Sequence, residues 1–431
     1  MKILWIVNSV LNDLSLHLYS KNGNGVWMDA LLSDFKERGE HHLIVATVLP
    51  TKTTIRYEKE GVVYYALPDT YPLLYNENKK KNIQAWQDLL NTEKPDLIQV
   101  WGTEFTHGLC ALRLAKEIPS VVYMQGYLDS IARYYQAGIS YKELKRSVTL
   151  RDVLKRDSIL QQQRKYIKSS YKEKEMLQLA GSIISENEWC NANIQAIVPE
   201  IEIYDCALSI NKVFAERQWA IENIERHSIM CTASGYTIKG LHMVFRAVAL
   251  LKEKYPDLKV YVPGTKMVSG ASLKEKLKKN GYTKYIEKLI KELDIEKYIV
   301  WLGRVSQEKL AMQYQKSNVF VMSSSIENHS SSLKEAMMVG VPCISSAVGG
   351  IPEYVEHGQN GYLYRFEEYA LAASYVDKIF ENDDLAKGLS KKAREGMLAL
   401  HESGDLYEKI VAIYRNIVEG KNARKTSSCN R

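Results

Sequence analysis

The sequence is short of the features that would tie the protein to a metal or take it out of a reducing compartment. Its six cysteines, at 110, 190, 206, 231, 343 and 429, form no CxxC pair and no Cys/His cluster. That argues against a disulfide framework or structural zinc and for free thiols in the cytosol. No apolar run approaches the roughly 18 residues needed to cross a bilayer, and MKILWIVNSV breaks off at Asn8 and Ser9 with no small-residue cleavage site behind it. The opening segment therefore reads as a first buried strand rather than a leader. None of the 16 aspartates has another two positions away, so an Asp-x-Asp holder for a divalent ion is missing. Charge of one sign is also scarce overall. Lys and Arg number 58 against 51 Asp and Glu, a formal +7 over 431 residues, and no nucleic-acid partner is expected.

What the sequence does have is alternation. At 45% hydrophobic and 10% aromatic it can bury a core, and at about 150 residues per domain it should hold two or three. Short apolar runs alternate with helical spacing in two series. The first runs from Ile3–Val7 through a glycine loop at Gly23 and Gly25, a helix over 26–38, HLIVATV, an EKEG turn, DLIQVWG, SVVYMQG and GSIIS to EIYDC at 202–206. The second starts at SIMCTAS (228–234) and continues through KVYVPG, YIVWLG and NVFVMSS to PCISS (342–346), followed by helices. Such alternation predicts parallel sheets covered on both faces. The expected division is a first Rossmann-like domain over 1–206, a linker at 207–226, a second over 227–400, and a helix with a polar tail over 401–431. Two doubly wound α/β domains would place a site in the gap between them, because ligands sit beyond the carboxyl ends of such strands.

The most informative run is SSSIENHSSSLKEAMMVGVPCISSAVGGIPE, residues 323–353. Glu327 enters a polar loop and Glu335 falls eight positions later, about one turn inside a helix. Ser330, Ser331 and Ser332 are capping residues, and with Asn328 and His329 they offer unpaired amides at a positive helix end. That is an anion site, most naturally for phosphate. A glutamate at the loop entry can accept from sugar hydroxyls, and one a turn into the helix can hold a ribose diol. Gly340 and Pro342 close the helix, and Gly349 and Gly350 make a second tight turn.

The Glu327/Glu335 spacing, followed by EAM-x2-G-x-P and GG-x-x-E, resembles the retaining glycosyltransferases of family 4, or group 1, which have the GT-B fold of two facing Rossmann-like domains. SGYTIKG (234–240) is similar to that family's phosphate-lysine loop, and WLGRVSQEKLAMQYQKSNVFVMSS (301–324) to its nucleotide-side elements. The resemblance implies that Lys239, beside Gly240, neutralises a donor diphosphate, that Glu327 holds the transferred sugar, and that Glu335 binds the ribose. It also implies that amides around His329–Ser331 meet phosphate and sugar, with Gly23 and Gly25 lining the site from the first domain. Two positions depart from the family pattern: Ser234 replaces an arginine, and Gln125, before Gly126, replaces a histidine. Arg304, followed by Val305, could supply the missing phosphate cation, although Arg304 reads first as a surface residue. Glu104 and His107 read equally as acceptor contacts and as capping or structural groups, and Gly23 and Gly25 equally as a turn.

Residues 142–175 hold eleven Lys or Arg against five acids, a net +6. The stretch reads as a basic insertion in the first domain, either a solvated helical face or an electrostatic contact with an anionic membrane. The resulting expectation is a cytosolic, membrane-apposed retaining glycosyltransferase. It would move a sugar from a nucleotide donor, a UDP-sugar first, to a glycan or lipid-linked glycan in bacterial surface polysaccharide synthesis, without metal or other cofactor. A nucleotide-sugar epimerase of the same fold and a non-catalytic binding protein are the alternatives.

Overall fold

The computed structural model describes residues 1–21, 23, 25, 28–69, 75–233, 235–264, 266–267, 278–401 and 405–429. The apolar runs form strands of two sheets, as their β-branched and aromatic content favours. In the first sheet are β1 (Lys2–Val7), β2 (His42–Leu49), β3 (Ile55–Lys59), β4 (Val62–Pro68), β5 (Leu97–Trp101), β6 (Ser120–Tyr123), β7 (Ser182–Ser185) and β8 (Glu202–Asp205). Their order is β3-β4-β2-β1-β5-β6-β7-β8. Neighbours from β4 to β8 run parallel, and β3 is the antiparallel arm of a hairpin with β4. The second sheet holds β9 (Glu225–Met230), β10 (Lys259–Pro263), β11 (Ile299–Gly303), β12 (Ser317–Met322), β13 (Cys343–Ser346) and β14 (Tyr362–Tyr364). Its order is β11-β10-β9-β12-β13-β14, with parallel neighbours throughout.

Strand order fixes where a ligand can sit. β1 lies between β2 and β5, and β9 between β10 and β12. At each place successive connections leave toward opposite edges, so the loops after β1 and β5, and after β9 and β12, part and leave a crevice at the carboxyl ends. The expected motifs fall in these loops. Helices cover the sheets through apolar stripes; on helix Leu241–Leu251 the residues Leu241, Val244, Phe245, Val248 and Leu251 are all buried, each contributing about 1.5–3 kcal/mol.

The two compact units do not follow chain order. One comprises Met1–Leu128, Lys168–Leu208 and Gly404–Arg431; the other comprises Asp129–Ile167 and Ser209–Ser403. This differs from the contiguous division at 206 and 226 on two counts. Part of the basic insertion at 142–175 leaves the first domain, because Tyr135, Ile139, Leu144 and Ile159 bury themselves in the core of the second unit. The boundary then falls inside helix Ile159–Leu179. The C-terminal helix Leu406–Cys429, which runs into the polar tail, joins the first unit. Tyr407, Ile410, Val411 and Tyr414 pack with Trp5 and Phe35, Trp5 Nε1 donates to the Tyr414 hydroxyl at 3.0 Å, and Arg38 pairs with Asp405 and Glu408.

Two elements were not anticipated. Helix Asn12–Tyr19 occupies what reads as loop, and β14 is only three residues long, too short to show a period. Cys110, Cys190, Cys206, Cys231 and Cys343 are buried free thiols. Among the described residues no helix is long and apolar enough to cross a membrane.

Candidate functional site

The loop after β9 and the loop after β12 lock onto one another, and two glycines make this close fit possible. Gly240 sits at φ 69°, and a Cβ there would lie 1.7 Å from the Ser323 carbonyl oxygen. The Ser323 hydroxyl donates to the carbonyls of Lys239 and Gly240 at 3.0 and 2.9 Å, and Ser325 N donates to Ile238 O at 2.7 Å. Gly349, at φ 53°, does the same from the other side, because its Cβ would lie 1.7 Å from Glu327 O. With both loops pinned, Lys239 Nζ reaches Glu327 Oε1 at 2.5 Å, and the Ser324 hydroxyl donates to the same oxygen at 2.6 Å. Gly240, expected as a donor contact, thus acts as the point of closest approach between the loops.

Helix Ser331–Val339 follows, with Ser330 as its N-cap accepting from Leu333 N at 3.4 Å. The amides of Ser331 and Ser332 have no acceptor among the described residues and stand at the positive end of the helix. Glu335, one turn in, is half-buried, and burial raises its carboxyl to about 8. No donor reaches it among the described residues. Placing an unpartnered carboxyl there costs folding stability. His329 is pushed down to about 2, first by burial and then by the charge of Lys334, whose ammonium donates to His329 Nδ1 at 2.9 Å. The imidazole is therefore neutral and carries its proton on Nε2. Asn328 is buried beside it. Ser234 lies outside the described residues. Arg304 and Val305 follow β11, two strands from β9 and so about 10 Å along the sheet. Arg304 is exposed, without an ion pair among the described residues.

In the first unit the corresponding loops, after β1 and β5, are more self-contained. Gly23 N donates to Asn12 Oδ1 at 2.8 Å, a Cβ on Gly23 would meet Val10 O at 2.2 Å, and one on Gly25 would meet the Leu11 side chain at 2.5 Å. Their close packing on residues 10–12 accounts for both glycines. Glu104 folds back over Gly102 and accepts from Asn8 Nδ2 at 2.6 Å; burial raises it to about 7. His107 is fully buried with Nε2 3.1 Å from Val7 O, and burial lowers it to about 4, leaving Nδ1 as an acceptor with no partner among the described residues. Gln125 is half-buried in the loop after β6, the strand next to β5.

Residues 217–396 match the family model for glycosyl transferases group 1. The matched stretch lies wholly within the second unit. Over 132 residues the chain is 34% identical to N-acetyl-alpha-D-glucosaminyl L-malate synthase from Bacillus anthracis. That alignment covers 31% of this chain, which thereby spans about a third (33%) of the curated relative. The whole chain has the GT-B fold. Sucrose-phosphate synthase from Thermosynechococcus elongatus matches 97% of this chain and 100% of its own at a TM-score of 0.70 and 18% identity. HepE from Anabaena, solved in complex with UDP and glucose, matches 96% of this chain and 100% of its own at 0.63 and 14%.

Two features of the second unit were invisible in its motifs. Lys334, adjacent to Glu335, reads in sequence as an ordinary helix lysine. The second is the turn over residues 134–137, which packs against both the Thr237 loop and the Ser325 loop. Thr237 Oγ1 donates to Tyr135 O at 2.6 Å, the Ser325 hydroxyl to Tyr134 O at 3.1 Å, and buried His242 contacts Ala137 O through Nε2 at 2.8 Å. These bonds end on carbonyls about 100 residues or more away in sequence, so no side-chain pattern marks them.

Proposed function

We propose that the protein is a retaining glycosyltransferase that takes a sugar from a nucleotide-sugar donor, a UDP-sugar first, to a hydroxyl of a glycan or lipid-linked glycan. The observation that carries this reading is Glu335, a half-buried carboxyl without a partner among the described residues, one turn behind the free first-turn amides of its helix. Its raised pKa and its place beyond the β9/β12 switch suit a hydroxyl-bearing nucleoside. In this reading the donor ribose binds Glu335, the diphosphate meets Lys239 and the amides of Ser331 and Ser332, and Glu327 accepts from hydroxyls of the transferred sugar. The acceptor oxygen bonds to the anomeric carbon as its bond to the diphosphate oxygen breaks. The acceptor's proton passes to the departing phosphate, and attack on the face that the phosphate leaves retains configuration. Lys239 and the amides lower the barrier because they are aimed where negative charge grows. A cytoplasmic working place and bacterial surface polysaccharide assembly are the setting that the family resemblance implies.

Release of nucleoside diphosphate from a panel of nucleotide sugars, with and without acceptor hydroxyl compounds, tests the proposal. Release that depends on acceptor, with loss of turnover in Glu327→Gln, is expected. Donor conversion without acceptor would make the protein an epimerase, and tight binding with no turnover a binding protein.

A further inference from the structure

Helices of soluble domains turn their apolar stripe inward, and helix Leu150–Lys155 turns it outward. Leu150, Val153 and Leu154, at i, i+3 and i+4, are 65%, 61% and 76% exposed. The polar side of this helix is the buried one. Asp152 completes a capping box with Thr149 and is fully buried, and Arg151 pairs with Asp152 and Asp157. The preceding helix, Tyr141–Ser147, adds an exposed Tyr141 with Lys145 Nζ 4.5 Å from its ring centroid. Around these apolar groups stand the exposed cations Lys142, Lys145, Arg146, Lys155 and Arg156. Of the two acids within 141–156, Asp152 is the buried cap and Glu143 is shared between Lys288 at 2.8 Å and Arg146 at 3.4 Å.

The apolar face is not a loose segment waiting to fold back. Thr149 Oγ1 donates to Lys279 O at 3.0 Å, and Lys284 Nζ donates to the carbonyls of Arg146 and Val148 at 2.7 and 3.1 Å. A Cβ on Gly281 would lie 2.9 Å from Asp152 Oδ2, so the glycine leaves room for the helix. The backbone is clamped while the three aliphatic side chains point to solvent.

We propose that this face, residues 141–156, docks the protein on an anionic lipid surface, with Leu150, Val153 and Leu154 in the headgroup boundary and the five cations on lipid phosphates. Charge decides the occupant. The excess of exposed cations over acids repels a second copy of the same face, and the three aliphatic tips offer nucleotide bases nothing to stack on, while the Tyr141 ring is covered by Lys145. The structure narrows the sequence expectation of a purely electrostatic contact over 142–175. Leu144 and Ile159 are core residues, and Arg113 pairs with Glu175 in the other unit. The proposal does not rest on the catalytic reading and can fail without it.

Sedimentation of the full chain with phosphatidylglycerol-containing and with pure phosphatidylcholine vesicles tests it. Binding to the anionic vesicles is expected at low salt, weakening as salt rises. A combined Leu150→Ser, Val153→Ser, Leu154→Ser variant should lose about tenfold in partition with an unchanged melting temperature. Leu154→Ser alone should lose a few-fold, and Lys142→Glu with Lys155→Glu about tenfold or more. Any of four results overturns it: no binding to anionic vesicles, binding indifferent to these changes, a serine variant that alters the oligomeric state of the free protein, or single-stranded RNA binding of equal strength that the serine variant leaves intact.

Discussion

After β9 and β12, the second unit leaves a lysine against a glutamate and, one turn into the next helix, a carboxyl with no partner among the described residues. After β1 and β5, the first unit gives Glu104 an amide from Asn8 and seats His107 against Val7 O. Both sets of loops occupy the same topological position, where the strand order reverses. The difference lies in how far each set satisfies itself. In the first unit the loop carboxyl of Glu104 has a side-chain donor, and among the loop groups named only His107 Nδ1 is left without a partner among the described residues. The second leaves a carboxyl and helix amides without partners, which the fold bears at a free-energy cost. Topology marks both places, and what distinguishes the second is an unpartnered carboxyl one turn behind free helix amides.

This contrast can be broken by substitution. The largest effect should come from Glu327→Gln, which keeps the shape and removes the charge facing Lys239. Turnover should fall by about 10³-fold, worth roughly 4 kcal/mol, with the circular dichroism spectrum unchanged. Next is Gly349→Ala, whose methyl would overlap Glu327 O in a left-handed backbone region. We expect about 2–4 kcal/mol of lost stability in urea melts together with lost turnover.

Glu335→Gln should separate binding from stability. The carboxyl ionises near 4.5 when unperturbed and near 8 in the folded protein, so between those values the folded state holds the extra proton. Stability therefore falls as pH rises through that window. The glutamine variant escapes the fall and should be more stable than the unsubstituted protein at pH 8 and almost equal to it at pH 4, while losing about tenfold or more in UDP affinity. The smallest effect belongs to the first unit. Glu104→Gln still accepts from Asn8 and should leave UDP affinity within about twofold, about 0.4 kcal/mol. An equal loss at Glu104 and Glu335 would erase the distinction between the units.

Much of this was legible in the sequence because parallel strands and glycine-bounded loops have local signatures. Ile3–Val7 and NVFVMSS announce buried strands, and the Glu327/Glu335 spacing with Gly340 and Gly349 announces a loop, a helix and a turn. What stayed hidden depends on contacts distant in the chain. Nothing local tells Tyr135 that its carbonyl will hold Thr237, or tells helix Leu406–Cys429 that its tyrosines will pack on Trp5. The basic stretch misled for the same reason. Composition counts its cations but does not show that Leu144 is core while Leu154 faces water. Lys239 was legible as a cation at a loop, but its ion pair with Glu327 required the close approach permitted by Gly240.

The central claim is that Glu335 receives the nucleoside. Calorimetry of UDP binding near pH 7 in buffers of different ionisation heat tests it most directly. A carboxyl held at about 8 when empty is mostly protonated there, and hydroxyl donors from a ribose favour its ionised form. Binding to the unsubstituted protein should release most of one proton, a release that disappears with most of the affinity in Glu335→Gln. UDP binding of equal strength in both proteins, with no proton released by either, would contradict the account.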